Sequence, residues 1–112
     1  AHMAAVLDVV EPYSADLNGG VEPAQVLLLH ANSLNQDWYA AIHTLFLRRG
    51  YRFVMLDEAM ADPIYGRPDA WVRAHGVSWL HRWALTDGVP FQPEPDTPQW
   101  VVDVAEGRVA TD

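Results

Sequence analysis

The stretch Val26-Leu27-Leu28-Leu29-His30-Ala31-Asn32 decides how this chain is read. Gln25 to His30 is a near-continuous apolar run of strand length that ends on an imidazole. Such a run reads as a strand covered on both faces, which suits a parallel sheet. Asn32 to Asn35 follows as a loop, with Asn35 as a helix N-cap and Asp37 favourably placed in the first turn. Trp38, Ile42, Leu45 and Phe46 then recur at helical spacing as far as Arg49, and Gly50 stands where a glycine ends such a helix. Tyr51 to Leu56 is a second strand-like run. The pattern predicts an α/β fold in which Val26–His30 and Tyr51–Leu56 are neighbouring parallel strands joined by the Asn35–Arg49 helix. That is one right-handed βαβ unit.

The flanks add helices. Val6, Leu7 and Val10 have helical spacing within Ala4–Leu17, but Pro12 interrupts it, so one or two short helices are expected. Asp57 can cap a short helix, Glu58–Asp62, closed by Pro63. Residues 63–76 are irregular. Val77–Leu85 reads as a helix with Ser78 as N-cap and Gly88 beyond its end. Phe91–Pro98 holds three prolines and reads as an extended linker, before a helix at Gln99–Ala105. Ala1-His2-Met3 resembles a tag-cleavage scar, so the expected division is 1–3 scar, 4–88 folded portion, 89–112 Pro-rich linker and tail. A two-stranded parallel sheet cannot hide both faces and both edges. The chain is therefore expected to self-associate or to form part of a larger barrel.

Composition excludes several classes. Fifteen acidic groups against seven basic ones leave a net charge of −8, which repels phosphate backbones and anionic lipid. Nucleic-acid and membrane partners are not expected. Cysteine is absent, so a disulfide framework, a thiolate nucleophile and a zinc–thiolate site are ruled out. No apolar run approaches the ~18 residues that span a bilayer, and no basic-then-apolar leader opens the sequence. A cytoplasmic location is the resulting expectation. Five tryptophans in 112 residues either fill a core or line an interface or cleft.

The residues Leu28-Leu29-His30 resemble the closing Leu-x-His motif of the polysaccharide deacetylases, the NodB-homology or family 4 carbohydrate esterases. The similarity continues through Asn32-Ser33-Leu34-Asn35, Arg49-Gly50-Tyr51-Arg52-Phe53-Val54 and Leu56-Asp57-Glu58-Ala59. It also takes in Gly76-Val77-Ser78-Trp79-Leu80-His81-Arg82-Trp83, and covers residues 24–101 in all. The resemblance implies the C-terminal part of an incomplete (β/α) barrel. It implies a hydrolase that removes acetyl groups from carbohydrate, or a broader ester or amide hydrolase. In that family the residue matching His30 is the general acid, and the one matching Leu28 lines the pocket for the acetyl methyl group. The family's divalent metal, a zinc, sits on an Asp-His-His triad carried by earlier strands, with a neighbouring aspartate as base. None of these elements is matched in this sequence, so no cofactor is expected on this chain alone.

The residues themselves allow other readings. An imidazole at a strand end can act as general acid or base, or can simply bond to a neighbouring loop. Trp79 and Trp83 stand i, i+4 and share one helix face, which suits stacking on a sugar ring or packing onto a second subunit. His43 reads as a surface or core-edge residue. His75 and His81 lack the i, i+4 spacing of paired ligands. Ser33 lies close to His30, and Ser78 reads better as a cap than as a nucleophile, since no Gly-x-Ser-x-Gly elbow surrounds it. The expected site is therefore His30 as acid with Leu28, Trp79 and Trp83 against a carbohydrate or small acyl substrate. The rival is a non-catalytic oligomerising or carbohydrate-binding module.

Overall fold

In the computed structural model, which describes residues 2–108, every regular element is a helix. Helix α1 spans His2–Leu17, α2 Ser33–Arg48, α3 Leu56–Met60, α4 Trp79–Asp87 and α5 Gln99–Ala105, with a single 3-10 turn at Pro63–Gly66. No strand occurs among the described residues. This overturns the α/β expectation, the parallel βαβ unit and the partial (β/α) barrel. Ala1 and the last four residues of the expected scar and tail lie outside the described residues.

The reason lies in where the two apolar runs sit. Val26–His30 and Tyr51–Met55 are irregular rather than helical, yet no backbone hydrogen bond joins them. A ladder needs the two backbones about 4.8 Å apart. Both runs instead border a groove of about 610 Å³ shared with Val6, Leu7 and Val10 of α1 and Phe46 of α2. Apolar content alone cannot tell a paired strand from a segment that lines such a groove. Exposure agrees, because Val26, Leu27 and Leu28 are all open to solvent, Leu28 to 80 %.

The helix ends follow local chemistry closely. Asn32, not Asn35, caps α2: its side chain accepts the Asn35 N–H at 2.8 Å. At the other end Gly50 takes φ 88°, Gly50 N–H reaches Leu47 O and Tyr51 N–H reaches Phe46 O, both at 3.1 Å. That pair of bonds is a Schellman closure, which needs the left-handed conformation glycine tolerates. Helix α4 closes the same way on Gly88, and Ser78 caps its start by accepting the His81 N–H. Pro12 does not break α1, which runs through it as one helix.

One buried cluster lies on the α1–α4 seam, and Leu7, Phe46 and Ala59 are buried beside the groove. Tyr13 of α1 meets Leu80, Trp83 and Ala84 of α4, and Val10, Leu17, Ile64, Tyr65 and Trp79 pack around them. Trp83 is only 1 % exposed. Arg67 staples this seam: it bonds Asn18 Oδ1 at 2.8 Å and Leu17 O at 3.3 Å, pairs with Asp87, and lies over the Trp83 ring at 5.4 Å. A guanidinium at the carboxyl end of α1 also satisfies a carbonyl the helix leaves free. Away from the seam the surface is poorly covered. The chain exposes 8268 Å², whereas a compact monomer of its mass exposes roughly 6,200 Å². Its radius of gyration of 16.2 Å compares with about 13 Å for a compact chain of this length.

Two substitutions separate the seam from the open face. Trp83→Ala is expected to cost about 3–5 kcal/mol, and Val72→Ala within about 0.5 kcal/mol because its side chain is 90 % exposed. Urea unfolding followed by helical circular dichroism checks both.

Candidate functional site

His30 ends the irregular segment, and the segment is held at both ends. Upstream, Ala24 N–H donates to Asp62 Oδ2 at 2.9 Å, the Tyr65 hydroxyl donates to Ala24 O, and Gln25 Nε2 donates to the buried Ser14 Oγ at 2.9 Å. Downstream, Asn35 Nδ2 donates to His30 O at 2.7 Å. The main chain of His30 is thus clamped while its side chain stays exposed. It lines an open bowl of about 660 Å³ together with Leu29, Asn32, Ser33, Asn35 and Tyr39. An imidazole there can exchange a proton with a bound molecule, and the asparagine side chains and Ser33 supply hydrogen-bonding groups.

The other expected site residues are not gathered around it. Leu28 lines the neighbouring apolar groove rather than the bowl. Trp83 is enclosed in the α1–α4 seam, and Trp79 packs edge-on against Tyr65 with Arg82 over its ring at 4.4 Å. A tryptophan face free for sugar stacking is therefore not what these two rings present. Ser33 shares the bowl with His30, but no hydrogen bond joins them among the described residues. His43 stacks on Phe53 at 4.5 Å, as a core-edge residue does. His75 offers its carbonyl to the Trp71 indole at 2.9 Å. Among the described residues no three histidine or carboxylate side chains converge as a metal ion requires. The zinc that the resemblance implies finds no fitting donor set in them.

Two polar constellations escaped the sequence reading. Ser78 Oγ lies 2.9 Å from His81 Nδ1, whose Nε2 is 3.0 Å from Gln92 O. A carbonyl only accepts, so Nε2 carries a proton and, in the neutral ring, Nδ1 accepts the serine hydroxyl. The serine is nonetheless engaged as the α4 cap, which makes this line a structural tie. Its sequence signal was the Ser-x-x-His spacing at a helix start.

The second constellation joins α1 to the end of α2. Arg49 bonds Glu11 at 2.7 Å and pairs with Asp8, while Tyr51, Glu22 and Glu11 share a hollow of about 440 Å³. Burial, and then the Glu11 charge, push the Tyr51 hydroxyl up to about 12. Burial likewise raises the Glu22 carboxyl. Nothing in their sequence positions brings Glu11, Glu22 and Arg49 together, because long-range placement sets this cluster.

Comparison with protein-family models, with curated proteins and with solved structures finds no match. No helix among the described residues is long and apolar enough to cross a membrane.

The tyrosine carries a pH signature. Below its ordinary value of 10.0 both folded and unfolded chains hold the proton. Above it the unfolded chain releases the proton first, so stability falls as pH rises until the folded group ionises near 12. Tyr51→Phe should flatten this alkaline loss between pH 10 and about 12. Chemical denaturation across that range checks it, and an unchanged slope would contradict the assignment.

Proposed function

We propose that this chain is the acid-bearing part of a hydrolase of the polysaccharide-deacetylase type, and that it works only within an assembly. The observation that carries the reading is Leu28-Leu29-His30, with a main-chain-clamped histidine opening into a mostly apolar bowl that carries a few hydrogen-bonding groups. The reading takes over the chemistry of these residues and none of the family's barrel. His30 donates a proton to the amine or alcohol as the acyl C–N or C–O bond breaks, so that the leaving group departs neutral. The bowl is lined by no carboxylate, so the base that takes the proton of the attacking water is left to a group that the assembly brings to it. No step is assigned to a metal.

Assembly is supported by the surface the chain leaves open. The excess over a compact monomer is roughly 2,000 Å², and permanent homodimer interfaces bury about 1,000–2,500 Å² per partner. The same excess favours a second reading, a non-catalytic oligomerising module.

The two part on one experiment. Purified protein is incubated with acetylated chitooligosaccharide and with a chromogenic acetyl ester across a concentration series. The hydrolase reading expects weak turnover that rises more than linearly with protein, and falls about 10²–10⁴-fold in His30→Ala. Turnover unaffected by His30→Ala refutes the hydrolase reading and leaves the oligomerising module.

A further inference from the structure

We infer that the segment Val26–His30 pairs with the same segment of a second copy of this chain, antiparallel about a two-fold axis near Leu28. The inference rests on the assembly argued above and names its surface. Between the anchor at Ala24–Gln25 and the clamp on His30 O, the backbone makes no hydrogen bond among the described residues. An exposed, unpaired backbone of this kind is a template for another strand.

Charge selects the occupant. Pro23 to Gln36 contains no Asp, Glu, Lys or Arg, in a chain whose net charge is −8. Two such copies repel over most of their surface, and this uncharged stretch is where they can meet at least cost. The second irregular run suits the role less, since Arg52 pairs with Glu58 beside it and Asp57 follows. An antiparallel pairing of one segment with itself is isologous, so a single patch serves both copies and the assembly closes at two. It satisfies the open N–H and C=O groups, sets Val26 of one copy against His30 of the other, and lets apolar side chains enter the groove beside Leu7 and Phe46. The chain as a whole leaves enough surface open for a dimer interface, of which this segment is one part.

The test combines mass and amide exchange on the full chain. Sedimentation equilibrium gives the mass over a concentration series, and hydrogen exchange reads the amides of residues 26–30. Wild-type protein should be dimeric with these amides protected. Leu28→Lys places like charges across the axis, yet Leu28 is exposed in the single copy, so helical circular dichroism should match wild type. Its dimerisation should weaken at least tenfold, with amides 26–30 unprotected. Val72→Lys, at a position 90 % exposed elsewhere, should change nothing. A wild-type dimer with unprotected amides, or one that survives Leu28→Lys, overturns this face while assembly stands. A monomer at every concentration overturns both, as does a monomer that takes up only an added uncharged apolar peptide.

Discussion

The seam between α1 and α4 is the constraint on which everything else in this molecule depends. Trp83 and Ala84 are almost wholly buried against Tyr13, and Arg67 closes the seam by bonding the end of α1 while pairing with Asp87 on α4. A ring the size of tryptophan removes a large apolar area from water, so one such contact can orient two helices. It cannot cover a chain in which half the residues are apolar. The groove beside α1, the segment that borders it and the bowl at His30 are what the seam leaves open. Openness is thus a consequence of how little the helices bury, and it is also what gives the chain a surface to offer.

Local chemistry was legible in the sequence, and long-range pairing was not. Gly50 and Gly88 end helices because their neighbours need a left-handed residue to close the last turn, and Ser78 caps α4 through its own hydroxyl. These features depend on residues a few positions apart. The apolar run Val26–Leu29 misled for the opposite reason. Its composition is that of a buried strand, but whether a strand forms depends on a partner backbone elsewhere, and the groove side chains stand in that place. Pro12 misled too: removal of one helical hydrogen bond did not part α1, whose flanking Val10 and Tyr13 are both held in the seam.

The same distinction runs through the candidate site. His30 was legible as a residue delivered at the end of an apolar segment, and it is exposed in an open, mostly apolar bowl. Leu28, Trp79 and Trp83 were grouped with it by motif and spacing, yet the fold sends Leu28 to a separate groove and spends both tryptophans on packing. The Arg49–Glu11–Tyr51 cluster carries no comparable signature, since it joins segments remote in the chain, whereas the tie of His81 to Ser78 is a local Ser-x-x-His spacing at a helix start. Chemistry carried by one residue can be read locally, whereas chemistry that needs several must wait for the fold.

The central claim is that a single copy leaves its folded surface uncovered and that association completes it. The most direct measurement is the thermal unfolding midpoint over a hundredfold range of protein concentration. Binding to the folded state alone raises apparent stability by mass action, so the midpoint should climb steadily with concentration. A midpoint that stays constant across the range, with a single sharp transition, would show that one copy is complete by itself and would contradict the account.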